Sequence, residues 1–281
     1  MTVRADERTS ERMVWNESSG LTSATWWRPG EPSVVDSWLV AEGRVRGLGL
    51  HERRFLCSCA ELVPELTTID RFLDAVRLWL PEHGLWFPRI EAYGGAEPRL
   101  ALWPRAWPGP SDEDVTLWIP PEPDPRSRPT VKGPDLRVLA GLRDRARAAG
   151  ADDAVLYDGD GTALETAHSA LVWWRGGTLC VPEAGLPVLP SVTRIHLERL
   201  ADDWRCPIRR ERVSLAELTR LEAWTVNALH GLRPVRAWVD AGGRSTPARL
   251  AAPARTAQWR QAVRHRAVLP ARHLLESPCA P

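Results

Sequence analysis

The sequence contains almost no lysine. Of its 37 basic residues, Lys132 is the only lysine and all the others are arginine. Arginine can replace lysine wherever only a positive charge is needed, but its guanidinium stays protonated and cannot form a Schiff base. A chain that uses arginine for nearly every cation makes its one lysine a candidate for covalent chemistry. The alternative is a surface lysine retained by chance.

The sequence also lacks a long apolar segment and an excess of one charge. No apolar run reaches the length of a membrane span, and the first residues are charged rather than apolar, so we expect a cytoplasmic protein with no membrane partner. The 37 basic and 36 acidic residues leave a formal net charge of +1. Nucleic-acid binding needs a net basic face, so we expect no nucleic-acid partner either.

Cysteine and most aromatic residue types are scarce. The five cysteines are an odd number, and Cys57 and Cys59 form a C-x-C pair without a second pair or a histidine at zinc-site spacing, so we expect no metal site. Tyr (2), Phe (3) and Met (2) are rare, whereas Trp (15) is frequent. This pattern indicates a bias in base composition, and we expect most tryptophans to lie in the core or at an interface.

Hydrophobic spacing predicts a mixed α/β fold. The predicted helices cover 66–80, 135–149, a segment from Ser191 or Thr193 to about 204, and 255–269. The predicted strands lie near 13–15, on either side of Glu42-Gly43, in a hairpin of 87–93 and 99–103, and at 154–157, 170–174, 178–181 and 223–228.

Proline divides the chain into two parts. Eight prolines fall between Pro104 and Pro129, which indicates an interdomain linker or a loop lying over a site. The predicted organisation is therefore a ragged segment over 1–34, an N-terminal α/β domain over 35–107, a Pro-rich linker over 108–130 and a C-terminal domain over 131–281.

Six short segments follow one another in an order typical of one enzyme family. They are His51-Glu-Arg-Arg54-Phe55, the stretch from Lys132 to Asp158-Gly-Asp-Gly161, Leu164-Glu165-Thr-Ala-His-Ser-Ala170, Leu179-Cys-Val-Pro182, Leu189-Pro-Ser-Val192-Thr193-Arg194 and Asn227-Ala-Leu-His-Gly-Leu-Arg-Pro234-Val235. In this order and spacing they resemble the class IV aminotransferases, the fold type IV enzymes that use pyridoxal 5'-phosphate. The family includes branched-chain and D-amino-acid aminotransferases and 4-amino-4-deoxychorismate lyase.

The resemblance implies a role for each matching residue. Lys132 would hold the cofactor aldehyde as a Schiff base and move the substrate Cα proton, and Glu165 would face the pyridine nitrogen. The phosphate would be bound by Arg54 and by groups of Val192, Thr193, Asn227 and Ala228. An N-terminal α/β sandwich and a C-terminal pseudo-barrel would form the fold.

Two further residues are candidates for substrate binding. Arg89 lies on a predicted strand where related aminotransferases can place an arginine that binds a substrate carboxylate. Trp107 belongs to the Trp/Pro-rich segment that would complete the partner's site in a homodimer, the usual assembly of the family. The substrate would be an amino acid or an amino-chorismate-like compound.

Several positions depart from the family pattern and leave the reaction open. Thr166 and Ser191 replace glycines, Ala170 replaces an asparagine, and Asp135 stands near the place of the aminotransferase tyrosine. An amino-group transfer is our first interpretation. A lyase reaction that releases 4-aminobenzoate and pyruvate is the second, favoured by Asn227-Ala-Leu229 and the missing tyrosine. The third is a binding or scaffold protein that retains the fold without catalysis.

Overall fold

The computed structural model describes residues 11–25, 27, 29–107, 109–249 and 252–268. The chain forms two compact units. Unit 1 combines the chain up to Gly109 with Val131–Pro134 and the segment from Ala267 onward, whereas unit 2 consists of Pro110–Thr130 and Asp135–Arg266. The four-residue segment that contains Lys132 therefore belongs to unit 1, although it lies in sequence between two parts of unit 2.

Unit 1 is built on an antiparallel sheet of five strands. In chain order these are β1 (Met13–Asn16), β2 (Gly20–Ser23), β3 (Val34–Ser37), β7 (Arg89–Tyr93) and β8 (Arg99–Trp103). Their spatial order is β2-β1-β8-β7-β3. A second small sheet joins β4 (Val40–Ala41), β5 (Arg44–Arg46), β6 (Leu85–Trp86) and β18 (Ala267–Val268).

Two helices cover the five-stranded sheet. Helix α1 (Leu48–Leu62) contacts β3, and α2 (Ile69–Trp79) contacts β2 and β8. The predicted α2 buries Ile69, Phe72, Leu73 and Val76, which are spaced as one face of a helix requires. These side chains join one apolar core with those of α1 and the sheet.

Unit 2 contains a closed barrel of six strands. They are β9 (Val115–Trp118), β10 (Asp153–Tyr157), β11 (Ala163–Thr166), β12 (Ala170–Arg175), β15 (Glu222–Asn227) and β16 (Gly231–Val239). The order is β11-β10-β9-β16-β15-β12, and β12 pairs back onto β11 and so closes the sheet. Strands β13 (Thr178–Pro182) and β14 (Ile208–Glu211) extend it beyond β12, and β17 (Ser245–Pro247) pairs with β16.

Four helices belong to unit 2. They are α3 (Leu136–Ala148), α4 (Val192–Asp203), the single turn α5 (Leu215–Leu218) and α6 (Pro253–His265). As predicted, α3 ends before Gly150, which has a positive φ of 78° and so terminates the helix. Trp173 and Trp224 are fully buried in this unit, as Trp38 is in unit 1, so the expected core role is confirmed for these three.

The Pro-rich segment over 108–130 is not only a linker. Its Val-Thr-Leu-Trp stretch forms β9, which pairs in parallel with both β10 and β16. Four buried side chains in a row suit a strand with neighbours on both sides. Similarly, the segment over 1–34 supplies β1 and β2 rather than one strand. The boundaries predicted at 34/35, 107/108 and 130/131 stay predictions.

No helix in the described part of the chain is both long and apolar enough to cross a membrane.

Candidate active site

Lys132 lies beside β3 in unit 1. Its carbonyl accepts a hydrogen bond from the Val35 amide at 2.7 Å. Gly133 allows this approach, because a Cβ at that position would lie 2.3 Å from the Ser33 carbonyl oxygen. The only lysine of the chain is half-buried. Its backbone is therefore fixed against a buried strand.

Arg54, predicted to bind a phosphate, is paired with a buried carboxylate. Its Nε donates to Asp36 Oδ2 and its Nη2 to Asp36 Oδ1, both at 2.8 Å, and His51 Nδ1 lies 2.8 Å from Oδ1. Burial opposes ionisation of Asp36, but the charge of Arg54 and the contact with His51 outweigh it, so the pKa of Asp36 lies below its usual range. The bidentate pair fixes the direction of the Arg54 guanidinium.

Arg89, predicted to bind a substrate carboxylate, contacts a carboxylate of the chain itself. Its Nε donates to Glu91 Oε1 at 2.6 Å, and its Nη2 donates to the same oxygen. Arg12 Nε and the Tyr93 hydroxyl donate to Glu91 Oε2 at 2.7 and 2.8 Å. Glu91 is fully buried, and these donors satisfy both of its oxygens.

Trp107 also lies in unit 1, next to Phe87. The two ring centroids are 6.0 Å apart, and the Trp107 amide donates to the Leu85 carbonyl at 3.0 Å. Trp107 is 36% exposed. The structure thus places this residue beside the strands of its own unit, with part of its indole accessible.

In unit 2, Glu165 is a buried carboxylate with one arginine partner. Arg126 Nη1 donates to Glu165 Oε1 at 2.7 Å, and the Leu189 amide donates to the same oxygen at 2.9 Å. Burial raises the pKa of Glu165, and the charge of Arg126 opposes this shift. Oε2 makes no hydrogen bond to the described residues, so a donor group of a ligand could occupy it.

The first turn of α4 presents hydrogen-bond donors that could bind an anion. Ser191 Oγ caps the helix by accepting from the Arg194 amide at 3.3 Å, as one of the two predicted caps. The amides of Val192 and Thr193 stand in the first turn, where helix N–H groups lack intrahelical partners and the dipole favours negative charge. The Thr193 hydroxyl is buried with no hydrogen-bond partner among the described residues. These donors fit a phosphate.

Asn227 and Ala228 stand at the end of β15. The Asn227 side chain donates to Ser169 Oγ at 2.9 Å and accepts from the His230 amide at 2.7 Å, so it holds the turn between β15 and β16. Ala228 follows within that turn.

Strand register brings these unit 2 groups to one end of the barrel. Glu165 lies opposite Ala170, and Ala170 lies opposite Val226, the residue before Asn227. Neighbouring strands are about 4.8 Å apart, so Glu165 and Val226 are separated by about 10 Å. The Leu189 amide links Glu165 to the segment that leads into α4.

One departure from the family pattern has a structural role. The Thr166 hydroxyl lies 2.8 Å from Asp153 Oδ2 and accepts from the Ser169 amide at 2.9 Å. Asp153 also accepts from the His168 amide at 3.2 Å. The threonine that replaces a family glycine therefore stabilises the turn after Glu165.

The sequence interpretation missed two residues that hold the predicted ones. Arg126 bonds both Glu165 and Asp124, and Asp36 bonds Arg54. Nothing in the sequence distinguishes Arg126 from the other arginines. Asp36 carries a weak signal, because it is a carboxylate within the strand Val-Val-Asp-Ser, where a buried charge needs a partner.

The described residues contain no group of three or more His, Cys, Asp or Glu side chains that could hold a metal ion.

Comparison with known proteins identifies the family. The sequence profile of the amino-transferase class IV family matches residues 33–238. The chain belongs to this family. The comparison with curated proteins finds no match.

Solved structures of low sequence identity share the fold. A fold IV-transaminase from Curtobacterium pusillum is 18% identical with a TM-score of 0.70 and covers 91% of this chain and 97% of its own. A hypothetical aminotransferase from Mycobacterium tuberculosis in its PLP-bound form is 16% identical with a TM-score of 0.75, covering 92% and 99%. The branched-chain amino acid aminotransferase from Escherichia coli is 17% identical with a TM-score of 0.72, covering 89% and 92%. The fold type IV architecture predicted from the sequence is confirmed.

Proposed function

We propose that this protein is an enzyme that uses pyridoxal 5'-phosphate to transfer an amino group from an amino acid, with Lys132 as the residue that binds the cofactor. The observation that carries the proposal is the single lysine of the chain. It occupies the lysine position of the class IV pattern, and its backbone is anchored on β3. The branched-chain and PLP-bound relatives support an amino-acid substrate and this cofactor.

The described residues of unit 2 fit the cofactor. Glu165 presents Oε2 without a hydrogen bond, as a partner for a protonated ring nitrogen requires. The amides at the start of α4 and the unpartnered Thr193 hydroxyl are donors for a phosphate. When bound, pyridoxal phosphate supplies the electron sink that stabilises a carbanion at the substrate Cα.

Each residue then has a defined task. Lys132 Nζ would take the proton from the substrate Cα, which requires a neutral amine, and would deliver it to C4′ of the cofactor. Glu165 would hold a proton on the ring nitrogen, and the charge of Arg126 opposes the rise in the Glu165 pKa that burial causes. Arg54, whose guanidinium is oriented by Asp36, stays a candidate for binding the phosphate, as the family pattern implies.

The lyase reaction remains a second candidate. Asp135, near the position of the aminotransferase tyrosine, accepts hydrogen bonds from the amides of Ser127 and Arg128 at 3.0 and 2.9 Å. The Asp135 carboxylate therefore stabilises the backbone of the preceding segment. It does not take over the hydrogen bond that the tyrosine hydroxyl makes in aminotransferases. This observation and the Asn227-Ala-Leu229 turn favour a reaction other than ordinary transfer.

A product assay distinguishes the candidates. Protein loaded with pyridoxal phosphate is incubated with a panel of L- and D-amino acids and a keto acid, and separately with 4-amino-4-deoxychorismate. We expect a new amino acid from at least one donor. Pyruvate and 4-aminobenzoate, with no amino transfer, would establish the lyase. Cofactor uptake without either reaction would favour the binding protein.

The expected homodimer and cytoplasmic location stay predictions. Sedimentation of the purified protein checks the first, and imaging in its source cells checks the second.

A further inference from the structure

Arg105 follows β8 in unit 1 and is held in one orientation. Its Nε donates to the Phe87 carbonyl at 2.8 Å, and its Nη2 donates to Ser37 Oγ at 3.2 Å. Its Cζ lies 4.9 Å from the Phe87 ring centroid and 5.1 Å from that of Trp103. A backbone carbonyl, a hydroxyl and two aromatic rings therefore fix this half-buried guanidinium.

Arg105 has no carboxylate partner among the described residues. The neighbouring arginines do: Arg12 and Arg89 bond Glu91, and Arg54 bonds Asp36. Among the described residues, the guanidiniums of Arg12, Arg89 and Arg105 thus lie near the single carboxylate of Glu91, which leaves a positive surplus around Arg105. Burial and the charge of Arg89 lower the pKa of Arg105 to about 10, so it stays protonated at neutral pH.

A fixed, partly desolvated cation that bonds no carboxylate is stabilised when an anion binds to it. The planar guanidinium fork matches a carboxylate in particular. Arg89 is less suited to this role, because its charge is already paired with the buried Glu91. Arg105 also donates through Nε and Nη2, but to an uncharged carbonyl and an uncharged hydroxyl, so no carboxylate of the described residues is hydrogen-bonded to it.

Arg105 and Lys132 both contact strand β3 in unit 1. The Lys132 carbonyl bonds the amide of Val35, and the Arg105 guanidinium bonds the side chain of Ser37. Two residues along a strand span about 7 Å. An amino acid that is bound through its nitrogen to a cofactor held by Lys132 would therefore have Arg105, on the same strand, as a candidate partner for its carboxylate.

We propose that Arg105 binds a carboxylate of the substrate and that Arg89 is a structural partner of Glu91. The assignment deepens the proposed function and rests on it, since it names the residue that recognises an acidic group on the amino acid or keto acid.

Calorimetric titration with glutarate tests the assignment without relying on turnover. The full-length protein loaded with pyridoxal phosphate is titrated with glutarate and with its uncharged analogue glutaramide. The variants are Arg105→Gln, which removes the charge, and Arg105→Lys, which keeps it without the fork. Arg99→Gln is the control, because Arg99 lies on β8 and pairs with the exposed Glu97.

We expect glutarate to bind the wild type and Arg99→Gln alike, and glutaramide to bind neither. Arg105→Gln should weaken glutarate binding by about tenfold or more, and Arg105→Lys by a smaller factor. Equal binding by Arg105→Gln and the control, or no binding by the wild type, would overturn the assignment. Inorganic phosphate that displaces glutarate with similar affinity would also overturn it, because the site would then not be specific for a carboxylate. The cofactor attached to Lys132 is measured in every variant. If it is present in all of them, a negative titration rejects the role of Arg105 and leaves the proposed function intact.

Discussion

At the scale of single residues, the hydroxyl of Thr193 contributes nothing evident to stability. It is buried and makes no hydrogen bond to the described residues. Burial of an unpaired hydroxyl costs about 1–3 kcal/mol. Such a group is retained when a ligand supplies the missing partner.

Thr193→Val therefore has opposite effects on folding and on cofactor binding. Without cofactor, we expect the free energy of unfolding to stay equal or rise by about 1 kcal/mol, because an unpaired polar atom is removed. The Kd for pyridoxal phosphate should rise about tenfold, since one donor to the phosphate is lost. Urea denaturation and fluorescence titration measure the two quantities. Thr193→Ser keeps the hydroxyl and should bind as the wild type does; an unchanged Kd in the valine variant would remove Thr193 from the site.

Residue identity alone does not show which arginines are available to ligands. The sequence does not show which of its 36 acidic residues pairs with Arg54, Arg89 or Arg105. Their pairing is decided by which carboxylates the fold buries beside them: Asp36 for Arg54 and Glu91 for Arg89. The sequence predicted the candidate residues through the family motifs, but the partners that hold them depend on tertiary contacts.

At the scale of elements, Gly133 determines whether the Lys132 segment can lie on β3. Gly133→Ala would place a Cβ 2.3 Å from the Ser33 carbonyl oxygen and 2.8 Å from the Val34 Cα, both backbone atoms. We expect a loss of about 1–3 kcal/mol in the free energy of unfolding and less cofactor attached to Lys132, because the segment must move. Gly49→Ala is the control, because nothing lies within 4 Å of its Cβ position. Equal stability of the two variants would contradict this account.

Helices and strands with regular hydrophobic spacing could be predicted from the sequence. Helix α1 could not, because polar residues interrupt its spacing. Its buried positions follow the helical period, but His51, Glu52 and Ser58 occupy places where apolar residues would reveal it. Two of these polar side chains bond partners in the fold: His51 contacts Asp36, and Glu52 accepts from Arg77. Strand β16 contains Pro234, which usually marks an edge strand, yet it pairs with both β15 and β9.

At the scale of the complete chain, a half-buried and a buried histidine link stability to pH. Burial, with the charge of Arg233, lowers the pKa of His230 from 6.5 to about 4, and its Nδ1 accepts from the Ser111 amide at 3.0 Å. Burial also lowers the pKa of His51. A depressed folded-state pKa means that the unfolded chain binds more protons below pH 6.5. The stability present above that pH is therefore lost as the pH falls toward 4.

His230→Asn should flatten this pH dependence. Asparagine keeps an acceptor for the Ser111 amide but does not titrate, so the slope of the unfolding free energy between about pH 6.5 and 4 should decrease. The slope should not fall to zero, because the pKa of His51 is also lowered in the folded state. Urea denaturation at a series of pH values measures the slope. His83→Asn, at a side chain that is 91% exposed, should keep the wild-type slope; the same slope in both variants would show that His230 is not the linked group.

Borohydride reduction shows whether Lys132 binds the cofactor. The purified protein is incubated with pyridoxal phosphate, reduced and digested, and the peptides are analysed by mass spectrometry. Because the chain has one lysine, a side-chain amine can be labelled at one position only. We predict a pyridoxyl group on the peptide that contains Lys132 and none in Lys132→Arg, whose guanidinium cannot form the imine. An unlabelled Lys132 peptide in the wild type would contradict the account.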